Sequence, residues 1–284
     1  MGPAGELHLS KHHGVGNDFL VLLDADDRDP LSEAEVRLLC DRHRGVGADG
    51  LLRVRPGGAQ ADLSMELRNA DGSAAEMSGN GIRCLVQAAV DAGWVSAWTV
   101  VVDTAAGLRT VLYRTGDAPG LGFASVDMGR AILGPELSPA ARPPELVSTL
   151  RAARTVDMGN PHIVLFGAPV DDAIVSSVGP RLEHAVRDRA NVEFVWPTAG
   201  SDTLTMRVWE RGAGETLACG TGACAVAAAA HDWGLVGPVV LVTSPGGTLQ
   251  VDLDADGVAL AGPTQKVADV VIDAGVLAQL AAGP

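Results

Sequence analysis

Two short segments of the chain set a small polar side chain immediately before Gly-x-Gly: Ser78 in SGNGIRC and Cys219 in CGTGAC. A side chain at such a position, followed by an Ala-rich helix, sits beside unpaired backbone N–H groups and the positive end of the helix dipole. A thiol there has its thiolate favoured and serves as base or nucleophile near neutral pH. Two such groups flanking one carbon could remove a proton from one face and return it to the other, while the helix starts hold a carboxylate. That is the chemistry of a cofactor-independent racemase or epimerase acting on an amino acid. Pyridoxal phosphate, the usual alternative, needs a lysine Schiff base; the only lysines are Lys11 and Lys266, neither in a convincing motif, so no cofactor is expected.

The elements that must position these residues repeat. Ser78 and Cys219 lie 141 residues apart, and nine residues before each a strand ends in a polar side chain, Asn69 and Glu210. Both copies read as strand, Gly-containing loop, reactive position, Gly-x-Gly and Ala-rich helix, the helices covering Ile82–Ala92 and Ala223–Trp233. Two similar α/β domains are expected, residues 1–120 with 265–284 returning to them, and residues 121–264, with both helix N-termini pointing into a shared cleft. The opening GELHLSKHHGVGNDFLVLLD reads as paired strands with a Gly-rich turn, and Leu31–His43 as a helix capped by Ser32. Strand-like runs recur at LLRVR, DLSMELRN, WTVVVDT, LRTVLYR and ASVDMG, then at RTVDMGNPHIVLF, NVEFVW, TLTMRVWE, VVLVTS and LQVDLD. The proline-dense GPELSPAARPPELV reads as a surface connection. GVGADG (Gly45–Gly50) matches a dinucleotide fingerprint in letters only: it follows a helix and precedes a strand, so it is a turn.

Composition narrows the partners. At 284 residues and nearly half apolar, the chain can bury a large core. A net charge of −14 offers no broad attraction to nucleic acid or anionic membranes. With no leader-like start and no long apolar stretch it reads as soluble and cytoplasmic. The cysteines Cys40, Cys84, Cys219 and Cys224 form no Cys-x-x-Cys pair, so neither a metal site nor a disulfide is expected. Cys219 alone stands in a reactive setting; the others read as core.

HHGVGNDF, RHRGVGADG, RNADGSAAEMSGNGIRC, MGNPH, NVEFV and ERGAGETLACGTGACA, in this order over nearly the whole chain, resemble the signature segments of the diaminopimelate epimerase family. The resemblance implies an α/β (α+β) fold of two pseudo-symmetric domains, each a curved, mostly antiparallel sheet wrapped around a central helix. It also implies cofactor-free interconversion of LL- and meso-diaminopimelate in a cleft between the domains, a small-molecule substrate, and a homodimer as the assembly. Cys219 and Ser78 would stand at the two reactive positions, with His162 and Glu210 beside them. Substrate binding would fall to Asn17, Asn69, Asn160, Asn191, Glu210 and Arg211, and to the helix-start residues Gly79, Asn80, Gly220 and Thr221. Read without the resemblance, Asn17 and Asp18 could simply shape a turn, and Asp71 orders its own loop. The family carries cysteine where this chain has Ser78. A hydroxyl is a far weaker acid than a thiol of reference pKa about 8.5, which leaves several outcomes open: a slow two-base route, a transfer by water or His162, a one-base or lyase relative, or a silent binding protein.

Overall fold

The structure is a computed structural model that describes residues 5–27, 30–96, 98–186, 189–198 and 203–281. The chain divides into two compact units, residues 1–126 with 263–284, and residues 127–262.

The first unit begins with β1 (Glu6–Gly14) and β2 (Asn17–Leu23), an antiparallel hairpin closed by Val15 and Gly16, both at positive φ (48° and 84°). α1 (Glu33–Cys40) crosses over to β3 (Gly50–Pro56), which runs parallel to β2 with Gly50 beside Phe19. Ser32 and Glu35 close a full capping box on α1. The helix stops three residues short of the expected His43 because Asp41 turns extended and its carboxylate takes the N–H groups of His43 and Arg44. β4 (Leu63–Asn69) pairs with β3, and β5 (Ala74–Ala75) folds back on it. α2 (Gly79–Asp91) follows, then β6 (Thr99–Thr104), β7 (Gly107–Thr115) and β8 (Leu121–Asp127) in antiparallel succession.

The second unit repeats this order. It comprises β9 (Ile132–Glu136), β10 (Ala152–Asp157), β11 (Pro161–Phe166), α3 (Asp172–Glu183), β12 (Asn191–Pro197), β13 (Thr203–Glu210), β14 (Gly214–Thr216) and α4 (Gly220–Asp232). β15 (Val239–Ser244), β16 (Gly247–Leu253) and the first residues of β17 (Val258–Asp273) complete it, the rest of β17 belonging to the first unit. β10 and β11 form the hairpin, α3 crosses over, and β12 lies parallel to β11 with Asn191 beside His162. β17 pairs with β16 through residues 258–261 and with β1 through residues 265–273, before α5 (Ala274–Ala281) places Leu277 in the core around α1.

Besides the earlier end of α1, α2 and α4 begin three residues before the expected Ile82 and Ala223, their Gly-x-Gly forming the first turn, and two further elements differ from the sequence reading. Ile132–Glu136 pairs with β10, so the proline-dense connection begins in a strand; Pro135 there costs only one ladder donor. α3 was not expected, because Gly179-Pro180 interrupts its pattern. It forms nonetheless: Asp171 caps Ile174 N–H at 2.9 Å, and Val175, Val178 and Leu182 fill the core against β12. Gly179 is needed where it lies, since a Cβ there would come within 2.6 Å of the Trp209 ring.

The two central helices are buried by different means. In α4 the residues from Gly220 to Ala230 are small and all buried, so strands can approach from every side. α2 instead buries a polar stripe, Asn80, Arg83 and Gln87, one turn apart. Each finds partners: Arg83 donates to Gly79 O and Asn80 Oδ1, and Gln87 donates to Gly120 O.

Candidate active site

Ser78 and Cys219 are the N-caps of α2 and α4. Their backbones match, at φ −140°, ψ 119° and φ −126°, ψ 118°. Ser78 Oγ accepts from Gly81 N–H at 3.0 Å, and Cys219 Sγ from Gly222 N–H at 3.4 Å. Glycine three past each cap leaves room for the cap side chain, which a Cβ on Gly81 or Gly222 would approach to 3.1 or 3.2 Å. The strand ends nine residues before each cap are equivalent too. Asn69 closes β4 and donates to Ser73 Oγ at 3.1 Å, while Glu210 closes β13 and takes the Thr216 hydroxyl.

Around Cys219 the second unit assembles ionisable and amide side chains. His162 on β11 is fully buried, with Nδ1 2.6 Å from Glu193 Oε1 and Nε2 3.0 Å from Asn160 Oδ1. Asn160 Nδ2 reaches Thr221 Oγ1 at 3.4 Å, and that hydroxyl lies 3.4 Å from Cys219 Sγ. Both ring nitrogens of His162 thus lie against side-chain oxygens, which fixes the orientation of the ring. Asn191 accepts from Arg211 N–H at 2.9 Å, which ties the start of β12 to the turn after β13.

The thiol's acidity runs against the sequence expectation. Burial, then the charges of Glu210 and Glu193, push the Cys219 thiol well above the ordinary range, against smaller opposing effects from Thr221 and the Gly222 N–H. The helix start alone would favour a thiolate. Two carboxylates and the loss of water outweigh it. Cys219 in the unliganded protein is therefore a neutral thiol.

Around Ser78 the expected binding residues are engaged with one another. Asn17 donates to Asp49 at 2.8 Å and accepts from Asn80 Nδ2 at 3.1 Å. Asp18 is held by Arg42 and Lys11, which keep its carboxyl low although burial alone would raise it. Asp71 takes the backbone and hydroxyl of Ser73, so it orders its own loop as the sequence suggested. GVGADG is the turn between α1 and β3. Cys40, Cys84 and Cys224 are buried, and burial drives Cys40 to about 12 and Cys84 to about 11.

Sequence reasoning missed Glu193. It reads as one polar letter in the strand NVEFVW, yet it is fully buried and hydrogen-bonded to His162. The repeat could have exposed it: the 141-residue offset that relates Ser78 to Cys219 relates Leu52 to Glu193. Among the described residues no three His, Cys, Asp or Glu side chains cluster as a metal site requires. No helix of those residues is long and apolar enough to cross a membrane.

The profile of the family described as diaminopimelate epimerase matches residues 9–133 and 154–267. The diaminopimelate epimerase of Synechocystis sp. is 41% identical over 276 residues, covering 92% of this chain and 97% of that one. That of Desulfovibrio desulfuricans is 40% identical over 266 residues, covering 87% and 91%. Among solved structures, a hydroxyproline epimerase from Agrobacterium vitis with bound trans-4-hydroxy-L-proline superposes with a TM-score of 0.72 at 15% identity, over 96% of this chain and 94% of that one. At that identity the likeness speaks for the fold alone. Sequence and fold together place the chain: it belongs to the diaminopimelate epimerase family, and it is an isomerase of the epimerase type.

Proposed function

We propose that the chain interconverts LL- and meso-diaminopimelate by moving the α-proton without a cofactor, as a cytoplasmic step towards lysine and peptidoglycan precursors. The observation that carries this reading is the matched pair of caps: one reactive-position side chain at the start of each of two equivalent helices, with the same backbone angles and the same bond to the third residue.

Cys219 is the acid/base group of the second unit. Its proton is held by burial and by Glu210 and Glu193, and a substrate ammonium arriving beside Glu210 offsets that negative charge, so the thiol becomes acidic only with substrate in place. The thiol proton passes to water, and the thiolate then takes the α-proton. Charge developing on the substrate's carboxylate is met by first-turn amides such as those of Gly220 and Thr221, which lie outside the helical ladder. Asn191 and Arg211 supply further polar contacts. Inversion needs a second group on the other face of the carbon. At the position equivalent to Cys219 stands Ser78, whose hydroxyl can donate or hold a water but does not readily become an anion. The transfer assigned to that group is the slow one.

A chiral assay of LL- and meso-diaminopimelate incubated with the chain tests the reading, and slow but measurable interconversion is expected. Calorimetric titration should show alanine binding far more weakly than diaminopimelate, since a monocarboxylic amino acid leaves polar groups of the site unpaired. Equal affinities would contradict the assignment. A one-base reading is favoured by the Ser78 geometry, a well-formed cap that needs no charge; it predicts exchange of the α-proton with no interconversion.

A further inference from the structure

The two caps rest on different floors. Beneath Gly81, three residues past Ser78, lies Leu52 of β3, whose Cδ2 would be 3.4 Å from an added Cβ. Beneath Gly222, three residues past Cys219, lies Glu193 of β12, whose Oε1 would be only 2.9 Å away. The neighbouring strand repeats the contrast. Phe19, two residues past Asn17, pairs in parallel register with Gly50; His162, two residues past Asn160, pairs in the same way with Asn191. The hydrogen bond from turn asparagine to helix is present in both units, between Asn17 and Asn80 at 3.1 Å and between Asn160 and Thr221 at 3.4 Å. An apolar Phe/Leu pair in one unit is thus replaced by a buried His/Glu pair in the other.

A second observation concerns the carboxylate itself. Glu193 is fully buried, and its Oε2 has no hydrogen-bond partner among the described residues. A buried ionised group left half-satisfied costs several kcal/mol if it serves packing alone, by the order of magnitude known for such groups. Leu52 shows that the fold accepts an apolar residue at the equivalent place. The polar pair therefore has a purpose other than filling the core.

We propose that Glu193 is a positioning residue for Cys219: its carboxylate under the first turn of α4 anchors His162, and through Asn160 and Thr221 fixes the orientation and protonation of the thiol. This rests on the reading of Cys219 as the reacting group. The chain from Glu193 to Sγ runs through contacts of 2.6, 3.0, 3.4 and 3.4 Å. An amide does not pass a proton along, so the Asn160 link transmits orientation, while the charge of Glu193 acts directly through space. The charged groups bearing on Cys219 are Glu210 from β13 and Glu193 from β12, with the His162 ring from β11 lying against the latter. Arg154 of β10 and Asp232 pair with each other at the far end of α4. Loss of the Glu193 charge leaves Glu210 alone to oppose the thiolate.

The test compares the unmodified chain with Glu193→Gln, which keeps an oxygen acceptor for His162 Nδ1 but removes the charge. Iodoacetamide labelling of Cys219 is followed across pH by peptide mass spectrometry, with no substrate present. Labelling of the folded variant should be about 10-fold faster at a fixed alkaline pH, equivalent to a thiol about one pH unit more acidic. Exchange of the diaminopimelate α-proton should lose kcat about 10-fold or more while KM moves little. An unchanged labelling profile in a folded Glu193→Gln protein overturns the proposal, whatever the activity. If the chain proves to have no activity on diaminopimelate while labelling shifts, the functional reading fails and the role of Glu193 stands. Should the variant not fold, ¹⁵N-histidine NMR of the unmodified chain decides: His162 must carry a proton on Nδ1, the nitrogen that faces Glu193, and a His162 without it overturns the proposal.

Discussion

Ser78 and Cys219 occupy the same place in two copies of one local structure, yet they are not chemically alike, and the difference lies less in the caps than in what surrounds them. Serine is among the preferred N-caps, worth about 1 kcal/mol over alanine. Its 3.0 Å bond to Gly81 is a good one, whereas the 3.4 Å contact to Cys219 Sγ is a weaker cap. The first unit thus has the better helix start and an apolar floor of Phe19 and Leu52. The second has the poorer cap, and beneath it a buried His162–Glu193 pair that no packing requirement explains. Buried polarity is also exchanged between them: α2 carries it on the helix through Asn80, Arg83 and Gln87, while in the second unit the strands carry it and α4 is nearly all alanine. The backbone device is shared; in the proposed reading the reactive group and its tuning belong to one copy.

The largest effect should come from removing the only thiol in such a setting. Cys219→Ala is expected to reduce α-proton exchange by ~10²–10⁴-fold, to background. Normal deuterium wash-in by that variant would break the distinction between the two caps. The reverse change, Ser78→Cys, should raise net epimerisation by up to ~10²–10⁴-fold while lowering stability by under about 1 kcal/mol, the difference between a good and a poor cap. A chiral assay and a denaturant titration read both.

Acid should weaken the first unit in particular. His12 is fully buried between Gln87 and Ser10, and burial lowers it from 6.5 to about 4. Above pH 6.5 neither the folded nor the unfolded chain protonates it, so its contribution is intact. As pH falls towards 4 the unfolded chain takes up a proton that the folded chain refuses, and about 3 kcal/mol is lost in that window. Urea melts at pH 7 and pH 4.5, repeated on a His12→Gln variant, measure how much of the acid loss His12 carries. The smallest effect compares the two floors. Gly222→Ala pushes a methyl against Glu193, a carboxylate pinned by His162, and should cost about 1–3 kcal/mol. Gly81→Ala meets the Ser78 side chain at 3.1 Å and the yielding end of Leu52 only at 3.4 Å, and should come within about 1 kcal/mol of neutral, since alanine's helix propensity offsets the crowding.

Much of this was legible in the sequence where the signals are local. Both caps, both central helices, the N-cap at Ser32 and the strand runs follow from periodicity and from Gly, Ser and Cys at fixed offsets. α3 was hidden because Gly179-Pro180 looks like a break, and its stability comes from contacts with Trp209 and β12 that are remote in sequence. β9 was hidden because prolines signal a loop, although a strand of five residues tolerates one. At the site, Cys219 and His162 could be named, but the acidity of the thiol could not. The helix dipole is a local property and favours the thiolate; Glu193 and Glu210 arrive on separate strands and reverse the sign.

The central claim is that the chain is a two-base device in which only one copy retains its acid/base group. Deuterium incorporation at the α-carbon, measured separately from LL- and meso-diaminopimelate in the unmodified chain and in Ser78→Cys, tests it most directly. In the unmodified chain, wash-in should be clearly faster from the epimer whose α-hydrogen faces Cys219, and Ser78→Cys should bring the two rates together by raising the slower one. Equal wash-in from both epimers before the substitution, or no change after it with substrate still bound, would contradict the account.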